Sequence, residues 1–221
     1  IIGYKHVNGL PYITIQQQLC QRLFVCGIRG DILHENIRTQ SNQIFEILAE
    51  ILNTEEIPVS SIVRQWNYIE QITAVDPDGH QHYQDFNDAR SLFYQSATWV
   101  DGYPAATGIG TQWGGVMVDV DTYSAAPLAA LGSGASPVDN PLQVSAHAYS
   151  QCVLLGKKDE RLSQRTTPKC ERAKAIWRND QDFVYISGTA AIRGEKSLEG
   201  VGIGEQTRIT LDNISYLISS E

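Results

Sequence analysis

No run of about 18 consecutive apolar residues occurs in this sequence, so no conventional membrane-spanning helix is expected. Basic residues are in the minority: 17 Lys and Arg stand against 25 Asp and Glu, a formal net charge of −8. A nucleic-acid groove needs clustered cations to neutralise phosphates, and that class of partner is disfavoured. Cysteine is scarce. Cys20, Cys26, Cys152 and Cys170 form no CxxC pair and have no histidine at finger spacing. Cys26 closes the apolar run Leu23-Phe24-Val25-Cys26, where a thiol behaves as a small hydrophobe. Reduced thiols and a cytoplasmic location are expected. The first residues lack the basic, apolar and small-residue regions of a signal peptide, and the sequence begins without Met, as a mature product or an excised piece would. A phosphate loop is missing as well: Gly200-Val201-Gly202-Ile203-Gly204 has neither the Lys-Ser/Thr of a P-loop nor the downstream acid of a dinucleotide site. His80 and His82 lie in an Asp-Pro-Asp-Gly loop, and Asp119 and Asp121 share a strand face. Neither pair has a third ligand in sequence, so no metal is expected.

What is present is an ordinary globular composition, 42% hydrophobic and 19% charged, with an internal repeat. Residues 23–52 and 184–218 each open on a short apolar strand ending in glycine, Gly27 and Gly188. An Ile-Arg-Gly turn and an acid follow in both, Ile28-Arg29-Gly30-Asp31 and Ile192-Arg193-Gly194-Glu195. Each then enters a helix at Gln40-Ser41 or Gln206-Thr207. The stripe Phe45, Leu48, Ile51, Leu52 matches Leu211, Ile214, Leu217, Ile218. Between the copies, residues 61–73 read as a β-branched and aromatic strand. Gln84–Ala97 reads as a helix with Phe86, Arg90 and Phe93 on one face, and 105–111 leads to a strand over 115–121. The expected fold is α/β (α+β), a mixed sheet with helices on one face. The expected division is a first module over 1–125, linker and polar loops over 126–182, and an incomplete second module over 183–221. The second copy would leave an open sheet edge, which another chain could cover; a homo-oligomer or pseudo-trimeric arrangement is expected.

This order of elements resembles the RidA (YjgF-type) module, whose fold is also chorismate-mutase-like. Several motifs are similar to its chorismatase branch, which carries two modules in tandem. They are Arg64-Gln65-Trp66-Asn67-Tyr68, Phe86-Asn87-Asp88-Ala89-Arg90, Pro104-Ala105-Ala106-Thr107-Gly108-Ile109-Gly110, Asn140–Ala146, Thr167-Pro168-Lys169-Cys170-Glu171-Arg172-Ala173 and Ile186–Ile192. Ala106 stands where RidA-type imine deaminases carry a carboxylate-binding Arg, and Gly194-Glu195-Lys196 replaces the Gly-His-Glu turn of chorismatases. The resemblance implies action on a small carboxylated enol ether, with loss of pyruvate and no cofactor. A non-catalytic small-ligand binder or oligomeric scaffold is the alternative.

Such a ligand needs cationic forks for its carboxylates and a proton donor for its ether. Arg90, between two phenylalanines, needs a buried partner: a structural carboxylate or a ligand. Arg64 opens an apolar strand beside Trp66 and Tyr68, either reaching solvent or holding a ligand. Glu195, after a glycine in a turn, is the candidate acid if burial raises its pKa, and otherwise a solvated carboxylate beside Lys196. Tyr68, Tyr103, Thr107 and Ser187 are expected to line the pocket. Gly108 and Gly110 are expected to let backbone approach the ligand, or to form a tight turn.

Overall fold

The computed structural model describes residues 1–17, 20–33, 35–125, 134–177 and 182–219. Strands β1 (Ile2–Val7), β2 (Leu10–Gln16) and β3 (Cys20–Arg29) form an antiparallel meander, and α1 (Ile37–Thr54) follows. Then come β4 (Ile62–Glu70), α2 (His82–Tyr94), β5 (Ala105–Thr111), β6 (Val116–Thr122) and the short β7 (Ser124–Ala125). They make one seven-stranded sheet in the order β1-β2-β3-β6-β4-β5, with β7 paired to β3. The β4–β5 pair is parallel and crosses over through α2, since parallel neighbours cannot be joined by a tight turn. The alternation of helix and strand expected for residues 20–125 is therefore present.

The apolar stripe of α1 explains its seat. Ile44, Leu48, Ile51 and Leu52 have no solvent exposure and pack on Leu23, Val25, Val118 and Val120 of the sheet. Each such side chain contributes about 1.5–3 kcal/mol on leaving water. Asn36 caps the helix, its side chain accepting from Thr39 N at 2.9 Å. The helix therefore starts three residues before the Gln40-Ser41 step expected from the repeat.

Helix α2 is buried on two sides. Phe86 and Ala89 join the core, whereas Gln84, Asp85, Asn87 and Asp88 are also buried. A loop from the 150–168 segment covers that polar side. Asp88 accepts from Asp159 N at 2.7 Å and from Thr166 Oγ1 at 2.6 Å.

The 126–182 span contains two strands where linker and polar loops were expected. These are β8 (Gly134–Val138) and β9 (Ala173–Trp177); residues 126–133 and 178–181 lie outside the described residues. With β10 (Phe183–Ile186) they form a second antiparallel meander in the order β10-β9-β8. Ser136 and Pro137 in β8 and Lys174 in β9 give that span its polar reading, although Ala173, Ala175 and Ile176 are core. Next come the hairpin strands β11 (Ile192–Arg193) and β12 (Lys196–Ser197), and then α3 (Ile203–Ser219), which packs on β10. Both halves thus run meander then helix. Their turns differ: the first Ile-Arg ends β3, and the second builds a separate hairpin. Leu217 of α3 is buried against Val138, Ala173 and Ala175, whereas Leu211 and Ile218 of the matched stripe are exposed.

Candidate functional site

The second meander meets the first sheet along the outer edge of β5. Glu171 N donates to Pro104 O at 3.2 Å and Gly188 N to Ala106 O at 3.0 Å, while Ala105 and Glu171 form a parallel bridge. Ser187 stitches the seam: its hydroxyl accepts from Ala106 N at 2.9 Å and donates to Glu171 O at 2.6 Å. Thr107 does similar work, its Oγ1 accepting from Gly188 N at 3.0 Å and from Arg64 Nη2 at 2.5 Å.

Arg64 sits opposite Ala105 in the β4–β5 register, on the same strand face as Trp66 and Tyr68. Its guanidinium lies 4.6 Å from the Trp66 ring centroid, and Tyr68 is half-buried within its electrostatic reach. Arg90, on α2, is 1% exposed; it donates to Asn87 Oδ1 at 2.6 Å and lies 5.4 Å from the Phe86 ring. Arg172, just before β9, donates to Val144 O and, at 2.7 Å, to Tyr149 Oη. All three guanidiniums are buried, and among the described residues none forms an ion pair. Arg64 Nη1, Arg90 Nε and Arg172 Nε have no hydrogen-bond partner within the described protein.

All three arginines lie within electrostatic reach of Cys170. Burial pushes its thiol up from the ordinary value, against the opposing pull of Arg90, Arg172 and Arg64. Burial pulls the Arg64 guanidinium down, and burial together with Arg90 pulls the Lys169 ammonium down. Lys169 lines a cleft of about 640 Å³ and lies 5.7 Å from the Tyr103 ring. The cleft has an aromatic wall: Tyr94 and Trp99 at 4.4 Å, Trp99 and Tyr103 at 5.3 Å, Tyr103 and His147 at 5.5 Å between centroids. His147 Nδ1 is 3.5 Å from Glu171 Oε2. Burial and Glu171 both raise the Tyr103 phenol. The cations of this lining are Lys169 and Arg165; Arg64, Arg90 and Arg172 are not part of it, and Arg172 meets it through its hydrogen bond to Tyr149. An aromatic wall with two cations suits a small organic anion.

The expected residues are therefore distributed unevenly. Arg64, Thr107 and Ser187 are linked at the seam, Tyr68 adjoins Arg64, and Tyr103 lines the cleft. Gly108 and Gly110 leave room for packing instead of for a ligand. A Cβ there would come within 3.2 Å of Ile72 Cδ1 and 2.8 Å of Ile72 Cγ2 respectively. Glu195 is not among the residues that line the cleft. Its oxygens accept from Ser150 N and Ser150 Oγ, both at 2.8 Å, which with Lys196 lowers its pKa. Arg172, Lys169, Tyr149, His147 and Glu171 were not singled out as site residues. The run Lys169-Cys170-Glu171-Arg172 carried the one available signal, charges flanking a thiol inside a polar stretch.

Residues 15–120 match the family model described as chorismatase FkbO/Hyg5-like, N-terminal. Over those residues the chain is similar to this chorismatase-like family. It is 31% identical over 177 residues to a 3-hydroxybenzoate synthase of Streptomyces hygroscopicus, an alignment covering 80% of the chain and 46% of that relative. It is 29% identical over 163 residues to a chorismatase of Streptomyces rapamycinicus, covering 73% of the chain and 44% of the relative. The chain thus spans about half the length of the curated relatives it matches. A chorismatase crystal structure superposes on 97% of the chain with a TM-score of 0.73 at 21% identity, covering 58% of that structure. The likeness extends beyond residue 120, so the second meander and α3 belong to the chorismatase-like fold. No described helix is long and apolar enough to cross a membrane.

Proposed function

We propose that the protein binds chorismate, or a close relative with the same dicarboxylate and enol-ether groups, and releases pyruvate from it. The observation that carries this reading is the set of three buried guanidiniums within electrostatic reach of Cys170 with unpartnered N–H groups and no protein carboxylate in ion-pair contact. Buried charge is costly without a counter-charge, so a site that keeps three of them fits an anion supplied from outside. Two carboxylates match two forks, and the aromatic wall fits an unsaturated ring. The names of the similar proteins, a 3-hydroxybenzoate synthase and two chorismatases, support the same ligand class.

The chemistry adds a proton to the vinyl CH₂ of the pyruvyl ether. Water then captures the resulting oxocarbenium carbon, and collapse gives pyruvate and a ring hydroxyl. Arg90, Arg64 and Arg172 would hold and orient the carboxylates. Among the described residues, His147 is the cleft-lining group we assign to proton transfer; its Nδ1 lies 3.5 Å from Glu171 Oε2 without a hydrogen bond between them. Glu195, already held as a carboxylate by Ser150, is not used. We further place the protein in the cytoplasm, where its four free cysteines would stay reduced.

Incubating the full-length protein with chorismate and following pyruvate with a lactate dehydrogenase couple tests the reading. Release is expected, and His147→Gln should slow it by about 10²-fold or more, the usual scale for a general acid. Tight binding of chorismate without turnover would favour the small-ligand binder. Absence of both binding and turnover would remove the assignment.

A further inference from the structure

A second cleft, of about 650 Å³, opens beside the first, and the two share a wall of Gln151, Ser163, Gln164 and Arg165. Its remaining lining carries Arg38, His80, Lys157, Lys158 and Glu160. Arg38 is neutralised behind the surface by Asp85, at 2.7 Å. Among the described residues Lys157, Lys158 and Arg165 form no ion pair. Lys158 Nζ is tied to Leu162 O at 2.7 Å and Arg165 Nε to Gly156 O at 2.5 Å, which fixes where these charges stand. Three unopposed cations against the single carboxylate Glu160 make this mouth positive on a chain whose formal charge is −8.

We propose that the second cleft is an anion-docking vestibule, where a small dianionic carboxylate is captured before it crosses the shared wall to the buried arginines. The inference rests on the reading of the buried arginines as a dicarboxylate site, reached from the first cleft past Lys169 and the Arg172-bonded Tyr149. A dianion is repelled by the field of an acidic protein, and a local cationic funnel with low-dielectric walls reverses that field along one approach. The shared wall fits a route more than a separate effector site, because Gln151 and Arg165 line both clefts. Gln151 Nε2 also donates to Arg165 O at 2.9 Å, which ties the two together.

The test uses the full-length protein carrying Lys157→Glu and Lys158→Glu, with Lys157→Gln and Lys158→Gln as the charge-neutral pair. Both lysines are exposed, and an unchanged melting temperature checks the fold. For pyruvate release from chorismate, kcat/KM is expected to fall about 3–10-fold at low ionic strength in the Glu pair and by less in the Gln pair. kcat should be unchanged and the difference lost near half-molar salt. Equal kcat/KM at low salt in a folded Glu pair overturns the vestibule. If the wild-type protein releases no pyruvate, the catalytic reading fails separately. The vestibule is then read from the rate at which chorismate quenches tryptophan fluorescence, Trp99 lining the first cleft. Slower association in the Glu pair supports the proposal, and an unchanged or unmeasurable rate overturns it.

Discussion

Arg90 shows how far a single residue can be read in advance. Its setting between Phe86 and Phe93 required burial, and it is buried. Sequence does not show what faces a buried cation, because partners come from elements distant in the chain. Had Arg90 paired with a protein carboxylate, removing it would have cost roughly 3–5 kcal/mol. No such carboxylate is in contact among the described residues. Arg90→Met should therefore leave stability within about 1 kcal/mol of wild type, or raise it, while weakening chorismate binding by about 10²-fold. A denaturant titration beside a calorimetric binding curve checks both halves. Lys174 is a second buried cation, 2% exposed, whose ammonium donates to the carbonyls of Asp101, Gly102 and Tyr103. Burial lowers its pKa from 10.5 to about 8, against the opposing charges of Glu171 and Asp101. The unfolded chain keeps this proton up to pH 10.5 and the folded one only to about 8. Stability from this group is thus lowest below pH 8 and rises between 8 and 10.5. That slope should vanish in Lys174→Met, which should also cost about 1–3 kcal/mol through the unsatisfied carbonyls. Chemical unfolding from pH 7 to 10.5 reads both effects.

At the scale of elements, α1, β4, α2 and β6 were legible because their periodicities are strong, whereas the glycine-containing β5 read only as a lead-in to β6. The 150–168 segment was not, because it has almost no regular structure and its burial depends on side-chain bonds to α2. Asp88, with no solvent exposure, is the anchor, accepting from Gln84, Asp159 N and Thr166. Asp88→Ala should free the segment that walls both clefts. Limited proteolysis is then expected to cut within 150–168 while the sheet and α1 survive, with ligand binding lost. The same segment should be sensitive to acid. Arg161 hydrogen-bonded to Asp159 lowers that carboxyl from 3.8 to about 2. Its contribution is complete above about pH 4 and lost as pH falls through 2. Proteolysis across that window, with an acid-stable protease, should show the 150–168 cuts appearing first. The glycines show a related limit. Gly108 and Gly110 signal close approach in any strand, and only the fold reveals that the neighbour is Ile72.

For the whole molecule, the sheet order carries a consequence for synthesis. Strand β6 is central: it pairs with β3 on one side and β4 on the other, although β3 ends 87 residues before β6 begins (Arg29 to Val116). A nascent chain that has emerged only to Pro104 holds the meander β1-β2-β3 and the lone strand β4, each with an unpaired edge and no bridge between them. Leu23, Val25 and Ile69, with no exposure in the folded protein, then have no completed sheet beneath α1 and α2. On the ribosome the first module stays an aggregation-exposed pair of fragments until Val116–Thr122 clears the exit tunnel and slots between them. Stalling translation just before and just after that strand emerges should move the nascent module from protease-sensitive to protease-resistant in one step. The middle of the sheet is made after every other strand in it except the two-residue β7.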